Sequence, residues 1–267
     1  MIRFLPLIVV VACGGASKED SAATSPSDTA GTTDTADSAD PGIPLRLTYV
    51  DGFTGVGISA AEVCTVIPET DTPCQTTDAD GVLETEWQIS EFTNVLNRLT
   101  HEDYTTTLYA GRYEQDVQDG WTAALETSDV IELGFIAFTP AVLQTYLSTG
   151  SVVAEPGQGL VVYWLFSGDD SSMAGAVITL EDDTGASVGQ VLYQTTSNVL
   201  NPMLTATTAA GVVAIANVPP GSHTLRVSHD TLTCVPSFAF ASDVPNVTTV
   251  PVEADSQTLG NLICFEG

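Results

Sequence analysis

The sequence predicts an all-β protein with two tandem β-sandwiches, one short connecting helix and a disordered tether before them. Short apolar runs recur from residue 45 onward, and turn residues separate them at intervals typical of a sandwich. A single helical pattern lies near the middle of the chain. A polar segment with hardly any apolar side chain lies near the N-terminus. We therefore divide the chain into an N-terminal segment (1–12), the tether with its leading cysteine (13–42), the first sandwich (43–138), the connecting helix (139–150) and the second sandwich (151–267).

Residues 1–12 contain a short apolar run, and Cys13 follows them directly. Arg3 precedes the apolar residues 4–11, which are too few to span a bilayer because a spanning helix needs about 20. The sequence Val-Val-Ala-Cys at residues 10–13 resembles the lipobox of bacterial lipoprotein signal peptides. In that family the cysteine receives a diacylglycerol, cleavage occurs before it, and the new amino group is acylated, typically by palmitate. The resemblance implies that Cys13 is lipidated and anchors the protein in a membrane. A plain secretory signal peptide is the alternative.

Residues 14–42 are mostly Gly, Ala, Ser, Thr and Asp. Such a segment cannot bury enough apolar surface to offset the entropy of ordering, so we expect it to be disordered. A flexible coil of this length reaches about 30 Å, which would hold folded domains clear of a membrane. Gly14, and not Asp, follows the cysteine. The resemblance to Gram-negative lipoproteins then favours the outer membrane and leaves open which face carries the protein.

The chain is strongly acidic, with 34 Asp and Glu residues, six Lys and Arg residues and a net charge of −28. The only lysine is Lys18, which lies in the tether. This charge would repel phosphate backbones and anionic headgroups, which excludes nucleic acid as a partner and disfavours direct adsorption to anionic lipid. Divalent cations and basic proteins are compatible with it. The simpler interpretation is that the acidity serves solubility or salt adaptation.

Four cysteines follow Cys13, and four cysteines allow three pairings. The spacing favours Cys64–Cys74 and Cys234–Cys264, because each pair then falls within one predicted domain. Each disulfide would contribute about 3 kcal/mol in the chain-entropy model. Metal binding by these thiols would need a tighter spacing with histidines nearby, which the sequence lacks.

Several segments carry the secondary-structure prediction. Residues 45–50 alternate as a strand and lead into a turn at Asp51-Gly52. Residues 159–166 are continuously apolar, as expected of a strand buried on both faces. Further strands are predicted over 176–180 and 224–228. The helix is predicted over Pro140–Ser148, with Thr139 as N-cap, proline at the first helical position and Gly150 just past the end. Its apolar side, which should pack against one sandwich or between the two, carries Val142, Leu143, Tyr146 and Leu147.

An internal repeat links the two halves. Residues 76–83 align with 207–213 if one residue is deleted, and a strand with Gly and Ala precedes each, over 55–65 and 174–180. In the second half, T-x-x-x-G ends at Gly211, and Val-Pro-Pro-Gly at 218–221 is followed by an alternating strand. This pattern resembles the carboxypeptidase regulatory-like family of prealbumin-like (Ig-like) β-sandwiches.

The resemblance to that sandwich family is weaker in the first half. It rests on residues 77–81, the Pro-Pro-Gly turn is missing, and residues 99–108 match the family's final strand only loosely. The resemblance implies two sandwiches of seven or eight strands, and it implies no catalysis. Fold alone does not license a function.

The sequence contains no recognisable catalytic pattern. The three histidines form no H-E-x-x-H or H-x-H pattern, and no G-x-S-x-G is present. His223 and His229 lie on one side of an extended strand, and the preferred interpretation is two surface histidines beside a turn. The C-terminus lacks the Y-R-G-S ending of the hydroxyisourate-hydrolysing enzymes that share the fold. We therefore assign no catalytic residue and no cofactor.

Two further groups are candidates for binding sites. Acidic residues at 78–80, 169–170 and 181–183 would suit calcium, but the calcium-loop pattern that begins at Asp78 has Ile89 where a glutamate is needed. Solvated turns are the preferred interpretation, so we expect neither calcium nor another metal ion. The one dense aromatic stretch, interpreted as core packing in preference to a carbohydrate-binding face, contains Tyr104, Tyr109, Tyr113 and Trp121.

The sequence thus predicts a surface lipoprotein of the cell envelope that is not an enzyme. Its sandwiches would have a structural or adhesive role, through contacts with another envelope protein or a glycan, and the residues that bind are not identified. The first alternative is an accessory module of a secreted or envelope hydrolase that acts in trans. The weaker alternative is an enzyme whose site has no recognisable pattern.

Overall fold

A computed structural model describes residues 43–67, 73–87, 94–112, 124–126, 128–169 and 171–266. The predicted signal peptide and tether lie outside these residues. The first half contains strands β1 (Ile43–Asp51), β2 (Glu62–Ile67), β3 (Gln75–Thr76), β4 (Val82–Trp87), β5 (Asn94–His101), β6 (Tyr104–Arg112) and β7 (Ile131–Ala137). Helix α1 (Pro140–Thr149) follows. The second half contains β8 (Gly159–Ser167), β9 (Val177–Glu181), β10 (Gln190–Gln194), β11 (Leu200–Asn201), β12 (Val212–Val218), β13 (Gly221–Ser228), β14 (Leu232–Phe238), β15 (Val247–Val252) and β16 (Ser256–Glu266).

The two halves are β-sandwiches with closely related topologies. In the first, β1 pairs antiparallel with β4 and parallel with β7, while β5 pairs antiparallel with β2 and β6. In the second, β8 pairs antiparallel with β12 and parallel with β16, while β13 pairs antiparallel with β9 and β15. The prediction of an all-β sandwich protein with one short helix is confirmed. Among the described residues, no helix is long and apolar enough to cross a membrane.

The last strand joins the two sandwiches. The first part of β16 pairs in parallel with β6 of the first sandwich, with Gln257 opposite Thr107, and the same strand pairs with β8 on its other side. Further along, β16 pairs with β14. One sheet therefore runs through both halves, in the order β11-β10-β12-β8-β16-β6-β5-β2-β3. The tandem arrangement is thus a shared sheet, which the sequence did not reveal.

Strand β8 lies at the centre of the core and is buried on both faces, as predicted. Leu160, Val162 and Trp164 belong to a cluster that extends across both sandwiches and includes Tyr49 and Phe135. The alternate residues, Val161, Tyr163 and Leu165, belong to a second cluster between β8 and the sheet of β9, β13 and β15. Because successive side chains of a strand point to opposite faces, an all-apolar sequence is what this position needs.

Helix α1 begins and packs as predicted, and ends one residue later. The side chain of Thr139 accepts a hydrogen bond from the backbone N–H of Val142 at 3.3 Å, which caps the N-terminus. Leu143, Tyr146 and Leu147 are buried in the same cluster as Val162 and Trp164 of β8. The Tyr146 hydroxyl donates to Oε1 of Gln194 at 2.6 Å. The helix therefore packs against the second sandwich.

The internal repeat is present at atomic detail, and the structure shows where its one-residue deletion falls. Oγ1 of Thr77 accepts from Ala61 N at 2.9 Å, and Oγ1 of Thr207 accepts from Ala176 N at the same distance. In each half the backbone N–H of the threonine donates to the carbonyl of that alanine. Thr77 therefore corresponds to Thr207, and no residue is deleted between each threonine and the glycine four positions later. Thr76 is therefore the residue of the first half that has no counterpart, because Thr77 makes the bonds that Thr207 makes in the second.

Two smaller predictions in the first half were wrong. The stretch 99–108 is not one strand, because β5 ends at His101 and β6 begins at Tyr104, so the chain reverses between them. The predicted strand 55–65 begins only at Glu62. Residues before Glu62 form a loop in which Asp51 Oδ1 accepts hydrogen bonds from the backbone N–H groups of Phe53 and Thr54.

Candidate functional site at the junction of the two sandwiches

The junction between the sandwiches is fixed by side chains as well as by the shared sheet. Nε2 of Gln257 donates to Oγ1 of Thr107 at 2.7 Å, and both side chains are fully buried. Arg98 of β5 forms an ion pair with Glu253, in which Nε lies 2.9 Å from Oε2 and Nη2 contacts Oε1. These contacts link elements that are distant in sequence, so they fix one orientation of the second sandwich relative to the first.

A groove of about 530 Å³ lies beside this junction. Its walls come from the start of β6, one side of α1, residues 154–160, the end of β12 and residues 255–256. Ligand sites occur preferentially at such domain interfaces, and typical sites have volumes of about 300–1,000 Å³. The groove is therefore the candidate functional site. Its residues are distant in the sequence and share no common motif, so sequence reasoning did not bring them together.

Two side chains hold the wall of the groove in place. Oδ1 of Asn217 accepts from the backbone N–H of Glu155 at 2.9 Å, and its Nδ2 donates to the carbonyl of Val153 at 3.1 Å. Oδ1 of Asp255 accepts from the backbone N–H of Gly157 at 2.7 Å. Asn217 and Asp255 both have left-handed backbone, with φ of 56° and 54°, which Asn and Asp tolerate better than most residues. The loop 153–157 is thus bonded to the end of β12 and to the turn between β15 and β16.

The floor of the groove is apolar and its rim is polar. Leu143, Leu147 and Leu160 line it and belong to the large core cluster. Gln144 is exposed on α1, and Glu155 is exposed on the loop. Among the described residues that line the groove there is no lysine, arginine or histidine. The electrostatic potential inside it therefore disfavours anions.

Tyr104 lines the groove where β6 begins, and the carboxylate of Asp51 lies next to its hydroxyl. Burial raises the pKa of its hydroxyl, and the negative charge of Asp51 and a hydrogen bond to that carboxylate raise it further. Asp51 is itself buried and caps the loop that follows β1. The ring of Tyr104 contacts that of His101 edge to face, with centroids 5.2 Å apart. The hydrogen bond to Asp51 therefore orients the hydroxyl.

The structure places the remaining candidates away from the groove. Both disulfides are present: Cys64–Cys74 links β2 to the residue just before β3, and Cys234–Cys264 links β14 to β16. Cys13 lies outside the described residues. Glu62 lies near the first disulfide, but sulfur atoms in a disulfide are not the thiolates that bind metal ions.

The two histidines do not form a site, and the prediction of surface exposure was wrong for one of them. His223 is buried, not exposed as expected, and its Nε2 lies 2.7 Å from the carbonyl oxygen of Pro219. Its alternation with Leu225 and Val227 along β13 directs it to the buried face. His229 lies beyond the other end of the strand, where its Nε2 is 3.3 Å from the carbonyl oxygen of Ala174.

The acidic groups act within turns. Oδ1 of Asp78 accepts from the backbone N–H groups of Asp80 and Val82, and Oδ1 of Asp182 accepts from Thr184 and Ala186. Asp169 accepts from Ser167 and Ser171, which lowers the pKa of its carboxyl to about 2. Asp170 lies outside the described residues. In each turn the carboxylate already serves backbone or hydroxyl donors of its own loop.

Every arginine whose side chain is described is paired with glutamate. Arg46 contacts Glu84 and Glu132, at 2.9 and 3.1 Å, and Arg226 contacts Glu181 at 2.7 Å. Arg98 forms the ion pair at the junction. The described surface is therefore acidic with its positive charges already neutralised.

The aromatic stretch is divided between the core and the groove. Tyr109 is buried, packs edge to face on Phe135 with centroids 4.8 Å apart, and donates to the carbonyl of Ile136. Tyr104 lies at the groove, while Tyr113 and Trp121 lie outside the described residues. Core packing is correct for Tyr109, and the four side chains do not form one described binding face.

No family model matches the sequence, and no curated protein matches it. Among solved structures, the chain is similar to the Bacillus anthracis TIE protein, with 12% identity and a TM-score of 0.27, over 84% of this chain and 34% of that one. It therefore spans about a third of that protein. It is also similar to the shaft pilin SpaA from Lactobacillus rhamnosus GG, with 10% identity and a TM-score of 0.26, over 85% and 98% of the two chains.

A third similar structure is BcpA, the major pilin subunit of Bacillus cereus, with 9% identity and a TM-score of 0.27, over 84% of this chain and 99% of that one. Scores this low do not establish a common architecture. The description of the protein as two β-sandwiches therefore rests on its own strands, their pairing and the packing between them.

Proposed function

We propose that the protein is a surface lipoprotein of the cell envelope whose sandwiches have a non-catalytic structural or adhesive role. The observation that supports this role is the junction. A continuous sheet, a buried hydrogen bond and an ion pair combine two sandwiches into one body. Such a body suits a part that must present a surface at a fixed distance and orientation, because little conformational entropy is lost when it binds.

The proposed anchor is Cys13, followed by the disordered tether. It is supported by the short apolar run before the cysteine and by the polar composition of residues 14–42. A diacylated and N-acylated cysteine supplies enough buried methylene groups for stable attachment, whereas a single acyl chain gives only reversible binding. The outer membrane is the proposed location.

The anchor is tested by metabolic labelling with a palmitate analogue in cells that produce the protein or its Cys13→Ser variant. We expect the wild-type protein to carry label and to sediment with membranes, and the variant to do neither. Ser17→Ala, a substitution in the same segment that removes no thiol, is the matched control. A label-free wild-type protein would exclude the lipid anchor.

The binding role is tested by retention on envelope material. Immobilised protein, with disulfides intact, is exposed to solubilised envelope proteins and to purified envelope polysaccharide. We expect specific retention of an envelope protein or a glycan. Co-purification of a hydrolase would instead favour an accessory role in trans, and no retention at low salt or with calcium would leave a passive spacer.

A further inference from the structure

We propose that the groove at the junction binds a short, uncharged oligosaccharide. This inference deepens the proposed function and rests on it, because it names the ligand class and the site of the binding role. Three properties of the groove favour this ligand: its charge, the hydrogen bonding of the backbone around it, and the kinds of side chain that line it.

The charge of the groove selects against anionic ligands. Glu155 and Asp255 line it, and no basic side chain does so among the described lining residues. Arg98 at the same junction does not supply a free positive charge, because its guanidinium is bound to Glu253. Phosphates, sulfates and acidic sugars would therefore enter without a counterion, at an electrostatic cost. Uncharged ligands pay no such cost.

Where β6 and β8 line the groove, their backbone is already paired and offers no edge to a peptide. Thr106 of β6 pairs with Ser256 of β16, and Leu160 of β8 pairs with Gln257. The backbone N–H of Thr105 donates to the carbonyl of Phe138 at 3.0 Å. An extended peptide gains most of its affinity from main-chain hydrogen bonds to an open edge, and these strands offer none here. Recognition must come from side chains.

The side chains suit a molecule that is apolar on one face and hydroxylated at its rim. Pro140, Leu143 and Pro156 provide apolar contact. The exposed amide of Gln144 both donates and accepts, and the carboxylate of Glu155 accepts. A pyranose ring has an apolar face and hydroxyl groups that act as donors and acceptors at once. Sugar hydroxyls can therefore pair with the rim while the ring lies on the floor.

The groove is also large enough and rigid enough. Its volume of about 530 Å³ lies within the usual range of ligand sites, and it would accommodate more than one sugar ring. Asn217 and Asp255 fix the loop that forms one wall, so the wall is ordered before a ligand arrives. Weak individual contacts with hydroxyl groups then sum to a measurable affinity, because little ordering is left to do.

The test uses the whole protein in detergent and a set of uncharged oligosaccharides, from disaccharides to tetrasaccharides, with binding measured by calorimetry. Ala154→Trp places a large ring in the groove from an exposed position. Ala79→Trp places the same ring on an exposed turn of the first sandwich and is the matched control. Gln144→Ala removes a rim amide from an exposed helix position, so it tests the site without disturbing the fold.

We expect at least one oligosaccharide to bind, with an affinity that does not depend on salt. Ala154→Trp and Gln144→Ala should each weaken this binding about tenfold, and Ala79→Trp should leave it unchanged. Binding that survives both groove variants, or no binding of any uncharged oligosaccharide, would overturn the inference. Binding only of a basic peptide, weakened by salt and by Glu155→Gln, would overturn the ligand class.

The same variants separate this inference from the proposed function. Retention on envelope material that persists in Ala154→Trp and Gln144→Ala would reject the groove as the site and leave the binding role intact. Absence of retention for the wild-type protein would reject the binding role itself.

Discussion

Thr107 and Gln257 lie opposite each other in the parallel pair of β6 and β16, and their side chains are hydrogen-bonded at 2.7 Å. Neither side chain is exposed. Thr107 also donates to the carbonyl of Thr105, so its hydroxyl accepts one hydrogen bond and donates another. Oε1 of Gln257 is buried with no partner among the described residues. The hydroxyl of Thr107 is thus a key partner of a buried amide at the junction.

We predict that Thr107→Val lowers the free energy of unfolding by about 1–3 kcal/mol, because it leaves the buried Nε2 of Gln257 without an acceptor. The double variant Thr107→Val/Gln257→Leu should recover part of that loss, because the buried amide that lost its acceptor is then absent. Urea unfolding of the two single variants and the double variant measures the coupling. Strictly additive losses would contradict the hydrogen bond's role.

We predict one cooperative unfolding transition for both sandwiches. Strand β16 pairs with β8 on one side and with β6 on the other. Loss of β16 would therefore leave an unpaired strand edge in both sandwiches. Scanning calorimetry should give equal calorimetric and van't Hoff enthalpies. The oxidised protein is required, since reduction of Cys234–Cys264 would remove the covalent link between β14 and β16. Two separate transitions would show that the junction does not couple the halves.

Local features of this fold were predictable because a few neighbouring residues determine them. Thr139, Pro140 and Gly150 delimit α1, and the continuous apolar run of β8 reports burial on both faces. The pairing of β6 with β16 was not predictable. It joins residues about 150 positions apart, as the separation of Thr107 and Gln257 illustrates, and no periodicity in either strand encodes its partner.

The equivalence of Thr77 and Thr207 leads to a paired prediction. Each hydroxyl accepts a hydrogen bond from a buried backbone N–H, of Ala61 and Ala176 respectively. Thr77→Val and Thr207→Val should each lower the free energy of unfolding by about 1–3 kcal/mol, since a buried donor loses its partner. Serine at either position keeps the hydroxyl, so Thr77→Ser and Thr207→Ser should cost clearly less. Chemical denaturation checks both pairs, and equal losses for valine and serine would refute the interpretation.

The glycines of the same repeat should also behave alike. Gly81 and Gly211 have φ of 79° and 65°, and a Cβ at Gly211 would lie 2.6 Å from the carbonyl oxygen of Leu165. A Cβ at Gly81 would lie 2.6 Å from Ile58 N. Alanine at either position combines an unfavourable φ with a backbone clash, so we predict a loss above about 1 kcal/mol.

Gly134 is the matched control for these glycines, because nothing lies within 4 Å of its hypothetical Cβ and its φ is not left-handed. Gly134→Ala should change the melting temperature little or raise it. A melting temperature for Gly81→Ala or Gly211→Ala as high as that of Gly134→Ala would show that these turns can adopt another conformation.

The groove escaped prediction for a different physical reason. Its floor uses Leu143 and Leu147, which the helical pattern identified only as core residues. Its wall depends on Asn217 and Asp255, which bond to the loop 153–157. For Asn217, that loop is more than 60 residues away in the sequence. Asn and Asp next to a strand end usually indicate a turn. Only the docking of one sandwich on the other turns these local features into a cavity.

The last prediction concerns pH and Asp169. Hydrogen bonds from Ser167 and then from Ser171 lower the pKa of this carboxyl from its ordinary 3.8 to about 2. Because the folded-state pKa is depressed, the stabilising contribution is complete above the ordinary pKa and is lost as the pH falls from about 4 to about 2. The carboxyl is exposed, so we expect this effect on stability to be small.

The pKa of Asp169 can be measured directly by an NMR titration of its side-chain carbon. Ser167→Ala and Ser171→Ala should each move the midpoint up towards the ordinary value, with the larger change for Ser167→Ala, whose hydrogen bond is the largest cause of the shift. Thr184→Ala removes the corresponding hydroxyl beside Asp182 and should leave the midpoint of Asp169 unchanged. A wild-type midpoint near 3.8 would mean that this serine–aspartate turn does not persist in solution.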